Sequence, residues 1–155
     1  MTFRITGLSP VPFAHLLGLS GVELARHGVR RHVADSKPGY PDRIGLRDVE
    51  VGETVLLLNY THQESETPYR ASHAIFVAET PQETFDQVGQ IPSALMTRVL
   101  SLRAFSPEGD MLDADLAEGD AVAPTIKRLL AVAGVAYLHV HFAKRGCYAA
   151  RIERV

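Results

Sequence analysis

Two hydrophobic periods run along the chain, and the shorter one dominates. Stretches rich in β-branched and aromatic residues, bounded by Gly, Pro or Ser, predict seven strands, over residues 29–34, 54–62, 69–77, 99–105, 111–115, 135–142 and 147–154. The longer period marks helices. Residues 21–27 carry a capping box of Ser20 with Glu23 and stop at Gly28. Residues 120–133 place Val122, Ile126, Leu129 and Leu130 on one stripe, admit Pro124 in the first turn and end at Gly134. Shorter helical turns are expected at 12–17 and after Pro92, through Ala94 and Leu95. Because strands mostly follow strands, the pattern predicts an α+β fold. It consists of a single domain, residues 1–155, with a predominantly antiparallel sheet of about six or seven strands and two or three helices.

Composition removes several function classes. The 155 residues, 46% hydrophobic and 22% charged, suit one compact core. Sixteen Lys and Arg against eighteen Asp and Glu give a net charge of -2, which leaves no electrostatic excess for nucleic acid or an anionic membrane. The longest apolar runs, at 55–58 and 129–132, fall far short of the roughly 20 residues of a membrane helix, and the opening residues lack the apolar stretch of an export signal. Neither nucleic acid nor membrane is therefore an expected partner. A single cysteine, Cys147, excludes an intramolecular disulfide and fits a cytoplasmic location. No GxGxxG, P-loop or GxSxG motif is present, and no cofactor is called for. The strongest breaker cluster is Ser36-Lys37-Pro38-Gly39-Tyr40-Pro41, where two prolines and a glycine forbid both helix and ladder.

The chemistry-bearing residues concentrate in the last hairpin. If Lys144-Arg145-Gly146 forms a three-residue loop closed by a glycine bulge, Ala143 pairs with Cys147 and His141 with Ala149. One face then carries Leu138, Val140, Phe142, Tyr148, Ala150 and Ile152, and the other His139, His141, Cys147 and Arg151. A four-residue loop slips the register and buries a guanidinium among apolar residues, so alternation favours the three-residue form. A second concentration follows the Asn59-Tyr60-Thr61-His62-Gln63 strand end, at Tyr69-Arg70-Ala71-Ser72-His73. Alternation sets Arg70 and His73 on opposite faces, which ranks Arg70 ahead of His73 as a ligand contact.

Three chemistries fit these residues. His139 and His141, two apart on a strand, project the same way and with Cys147 make a weak zinc-ligand set, weak because no fourth ligand is specified. Cys147 beside an imidazole can act as a nucleophile, with His141 or His139 as base. Arg70 and Arg151, supported by Asn59, Tyr69 and His73, can hold a carboxylate or phosphate through paired guanidinium hydrogen bonds. The bland alternatives are strand histidines bonded to neighbours, a packed thiol, and arginines on a solvated face, with Glu153 or Glu53 as partner.

Four motifs in order carry a resemblance: Lys37-Pro38-Gly39-Tyr40-Pro41; Gly52-Glu53-Thr54-Val55-Leu56-Leu57-Leu58-Asn59-Tyr60 with His62-Gln63; Pro68-Tyr69-Arg70-Ala71-Ser72-His73-Ala74-Ile75-Phe76-Val77; and His139-Val140-His141 with Gly146-Cys147-Tyr148. Together they resemble the bacterial domain of unknown function 1203 family across nearly the whole chain. The resemblance implies a small stand-alone cytoplasmic protein and no particular activity. Similar proteins often carry cysteine after the Tyr-Pro, where this chain has Asp42, so chemistry needing paired thiols is not expected and Cys147 would act with histidine. The reading that follows is a pocket of Arg, His and Cys that binds a small anionic or polar molecule. Its alternatives are an interaction or homo-oligomer module without chemistry, and a Cys/His-dependent or zinc-dependent enzyme.

Overall fold

A computed structural model describes residues 1–155 and divides the strands between two sheets. In chain order they are β1 (Phe3–Thr6), β2 (Arg30–Val33), β3 (Thr54–Gln63), β4 (Ala71–Ala78), β5 (Asp86–Val88), β6 (Leu100–Phe105), β7 (Met111–Ala117), β8 (Tyr137–Phe142) and β9 (Tyr148–Arg154). The larger sheet has the order β5-β1-β9-β8-β6-β7 and the smaller β2-β3-β4, and every strand pair is antiparallel. Helices are α1 (Gly21–Arg26), α2 (Ser93–Met96) and α3 (Val122–Leu130), with 3-10 turns at Val11–Leu16 and Gly119–Ala121. The fold is α+β and antiparallel as expected. All seven expected strands form within two residues of their expected bounds, and β1 and β5 are additions at one edge of the larger sheet.

Each sheet buries one face under helices, which is how a short α+β chain makes two cores. The α3 stripe of Val122, Ile126, Leu129 and Leu130 covers Leu100, Leu102, Leu138, Val140 and Ile152 of the larger sheet. The smaller sheet turns Leu56, Leu58, Ile75 and Val77 toward Phe13, Leu16 and Leu24. At the start of α1 the expected capping box is present in both directions, Glu23 N–H to Ser20 Oγ at 3.2 Å and Ser20 N–H to Glu23 Oε2 at 2.8 Å.

The last hairpin corrects the expected turn. Val140 pairs with Ala150 and His139 with Arg151, as alternation required, but His141 pairs with Tyr148 instead of Ala149. Gly146 N–H bonds the Phe142 carbonyl at 2.7 Å and Phe142 N–H the Cys147 carbonyl at 2.9 Å, so the loop is the four residues 143–146. A bulge at Ala149 absorbs the extra step. The register slip is thus confined to the two residues next to the turn, and no guanidinium is driven into the core. It moves Tyr148 onto the histidine side of the ribbon and Cys147 to the side of Phe142.

The segment 42–46 links the two sheets and carries Arg43. Leu8 N–H bonds the Arg43 carbonyl at 2.8 Å, and a Cβ on Gly7 would run into the Ile44 carbonyl oxygen and crowd that of Arg43. Backbone cannot yield as a side-chain tip can. Gly7→Ala is therefore expected to lower stability by about 1–3 kcal/mol, the usual range for forced overpacking. An unshifted denaturant midpoint would show that this segment tolerates displacement.

Candidate functional site

Where the larger sheet is not covered by helices, the end of the smaller sheet packs against it, and the seam between them is lined by histidines. On β3 and β4 the inward face runs from Leu56, Leu58, Ile75 and Val77 to Tyr60 opposite His73. A bulge between Thr61 and Gln63 then turns both His62 and Gln63 toward the larger sheet. Gln63 donates to the Tyr137 hydroxyl at 2.9 Å. His62 lies flat on the Tyr148 ring, centroids 5.1 Å apart and planes at 5°, and meets His141 edge-on at 4.9 Å. From β8, His139 sits among Phe105, Tyr137 and Tyr148, each ring about 5.1 Å away.

The hydrogen-bond accounting of this cluster does not close. His62 Nε2 and His73 Nδ1 are 2.6 Å apart. His141 Nδ1 is 2.9 Å from the Gly146 carbonyl oxygen. A carbonyl only accepts, so Nδ1 of the neutral ring carries the proton and Nε2 holds a bare lone pair. That Nε2 is buried without a partner, as are Nδ1 of His62 and Nδ1 of His139. Burial pushes His139 and His141 down to about 3 and His62 to about 4, and it lowers His73 as well. The Arg103 guanidinium acts on all four in the same direction, and no carboxylate offsets it. All four imidazoles are neutral at pH 7.

Beside the seam lies a cavity of about 940 Å³, and His73 lines both. Its walls are the outer residues Leu57, Ala74 and Phe76 of the smaller sheet, the 39–43 segment, and the turn that carries Lys144, Arg145 and Cys147. Arg43 is fully buried in its wall. The guanidinium donates to the Tyr148 carbonyl at 2.7 Å, to the Pro41 carbonyl, and through Nη2 to Cys147 Sγ at 3.1 Å. Burial lowers Arg43 to about 10, which still leaves it charged at neutral pH. Arg98 also lines the cavity but is held by Asp48 in a bidentate pair at 2.6 and 2.8 Å. Lys144 and Arg145 are exposed and have no ion-pair partner.

The residues singled out from sequence are thus divided. His73 reaches the seam and the cavity, whereas Arg70 is exposed and donates to the Glu64 carbonyl at 2.7 Å, reversing the ranking that alternation suggested. Arg151 lies over the Tyr137 ring at 3.8 Å and is paired with Glu153 at 2.8 Å, the bland partner named above. Asn59 and Tyr69 are exposed and lie outside the cavity lining. His139, His141 and Cys147 do not form one ligand set, because the turn register carries Cys147 to Arg43 and the cavity while the imidazoles face the seam. His141 instead converges with His62 and His73. Sequence reading missed His62, Arg43 and Arg103. A bulge without glycine, and an arginine in a loop, give no signal of burial.

Two stacked antiparallel sheets with a histidine seam and a basic cavity along one edge define the class of protein. The chain belongs to the family of proteins of unknown function called DUF1203, whose model matches residues 39–154. The match includes every residue of the seam and all but His32 and Ser36 of the cavity lining. No curated protein and no solved structure matches the chain.

Proposed function

We propose that the cavity beside β4 binds a small anionic molecule, a carboxylate or phosphate carried on an apolar body. The observation that supports this reading is the lining itself: Arg43, Arg98, Lys144 and Arg145 against no Asp or Glu. Of these, only Arg98 is bonded to a carboxylate, that of Asp48, while Asp42 acts on Arg43 without bonding it. A wall of one sign with a low-dielectric backing concentrates anions, and guanidinium groups bind planar anions through paired hydrogen bonds. The apolar part of the ligand has Phe142, Phe76, Leu57 and Val99 to pack against, and the volume is that of an ordinary small-molecule site. Cys147 Sγ stands on the same wall, so a bound molecule lies within reach of a thiol already held by a charged donor. The lone thiol also fits a reducing, cytoplasmic setting.

The test is calorimetric titration with phenyl phosphate and benzoate, with benzyl alcohol as the uncharged comparison. Both anions are expected to bind and to raise the unfolding temperature, and the alcohol is not. The double variant Lys144→Ala, Arg145→Ala is expected to weaken anion binding by about tenfold per cation removed. Because both side chains are exposed, its fold stays intact. Equal binding of alcohol and anions, or unchanged anion affinity in the double variant, would sink the reading.

A further inference from the structure

We infer that His62, His73 and His141 form a binding site for one divalent transition-metal ion of the zinc class, with a fourth position left open. One ring nitrogen from each lies within 4.8 Å of the others, and the three come from β3, β4 and β8, so the seam of the two sheets assembles the site. A tetrahedral zinc site, with Zn–N of about 2.0–2.1 Å, separates its nitrogens by about 3.3 Å.

The buried lone pair on His141 carries the inference beyond proximity. His141 is fully buried, its Nδ1–H is fixed by the Gly146 carbonyl, and its Nε2 has no partner in the protein. A ligating histidine is held in this way, with one ring nitrogen donating to a carbonyl so that the other presents its lone pair to a metal. His62 and His73 add to this. Two neutral ring nitrogens 2.6 Å apart either share one proton or turn both lone pairs to a common cation. Without an ion, the seam leaves a buried acceptor unsatisfied, which is unfavourable. Binding an ion removes that penalty.

The donor set also selects the ion. There is no oxygen ligand among the three, so Ca²⁺ and Mg²⁺ have nothing to bind, whereas Zn²⁺, Co²⁺, Ni²⁺ and Cu²⁺ accept imidazole. Three protein ligands with an open fourth position is the arrangement of catalytic rather than structural zinc. Cys147 is not in the set, which separates this site from any thiolate centre.

Cobalt is the probe, because it reports its own ligands. Chelator-stripped protein titrated with Co²⁺ alone, followed by visible absorbance, is expected to saturate at one ion per chain. Its spectrum should show visible bands without a thiolate charge-transfer band, and Mg²⁺ should neither bind nor compete. His141→Gln and His73→Gln are each expected to weaken binding by more than about 100-fold, the upper end of what losing a ligand's hydrogen-bond partner costs. Should His141→Gln fail to fold, as judged by its thermal transition, the partly exposed His73 on an edge strand gives the decisive variant. Absence of a saturable Co²⁺ spectrum, a thiolate band, or undiminished binding in a folded variant would overturn the site. No carboxylate or phosphate enters the titration, so the result does not depend on how the cavity is read.

Discussion

Lowering the pH of the metal-free protein from 7 to 5 is expected to remove about 2–4 kcal/mol of folding stability through His139 and His141 alone. Both start from an ordinary value of 6.5 and are held near 3 in the fold, chiefly by burial. The unfolded chain therefore takes up protons as the pH falls through 6.5, while the folded chain does not. Stability rises with pH wherever the unfolded state binds more protons, so it is intact above about 7 and drains away as the pH falls toward 3. The groups facing these rings reinforce the effect. His62 on β3 and Arg103 on β6 face both rings, with Arg151 on β9 facing His139 and His73 on β4 facing His141, and each of these opposes a new positive charge. Only the Gly146 carbonyl, at His141, favours the charged form. Urea titrations at several pH values measure the slope directly. His139→Leu is expected to reduce it by about 1.4 kcal/mol per pH unit within that window. An unaltered slope would mean that His139 is protonated in the fold or reached by water.

The second large effect is expected at Asp42, whose carboxylate is completely buried. Its Oδ1 accepts the Ala78 N–H at 2.9 Å and its Oδ2 the Gly45 N–H at 2.6 Å, so it ties the 42–46 segment to the end of β4. It also places a negative charge next to the buried Arg43, which otherwise bonds two carbonyls and a sulfur. Asp42→Ala leaves the buried Ala78 N–H and the part-buried Gly45 N–H without an acceptor, at about 1–3 kcal/mol each, and takes away a negative charge that favours the charged form of Arg43. Asp42→Asn retains one acceptor but loses the charge, and its cost falls between that of Ala and wild type. Equilibrium unfolding of the three proteins orders them, and a midpoint for Asp42→Ala within experimental error of wild type would show that the segment is held by its other contacts. The position bears on function as well, since the same segment sets Arg43 against Cys147 in the cavity wall.

Strands such as β4 and β6 were readable from alternation because buried apolar residues alternate along them with more exposed polar ones. Where that failed, the reason is local. β1 alternates Phe3 and Ile5 with Arg4 and Thr6 but is only four residues long, and β5 is Asp86, Gln87 and Val88, an edge strand with no apolar face. The expected polar face of β8 is not a solvent face at all. All six residues from Tyr137 to Phe142 are buried, because the end of the smaller sheet covers the histidines. Alternation assigns residues to faces but cannot say that both faces will be covered. The hairpin slip had the same source. Ala149 and Ala150 are small and both fully buried, so the pattern around them does not distinguish a regular pair from a bulge. The histidine seam needed a long-range fact, the bulge at His62 and the packing of two sheets, and no spacing within one strand contains it.

The turn at 143–146 has two attachments, and together they make it an unusual surface loop. Its side chains Lys144 and Arg145 face the cavity, while its last carbonyl, on Gly146, holds the proton of a buried ring. Most turns between antiparallel strands drift in length because nothing beneath them depends on the path. Here one residue more or fewer would move the Gly146 carbonyl off His141 Nδ1 and shift the two cations at once. Loop length is therefore under the kind of constraint normally reserved for the core, and the outer surface of the molecule is tied, through a single peptide oxygen, to which nitrogen of His141 carries hydrogen.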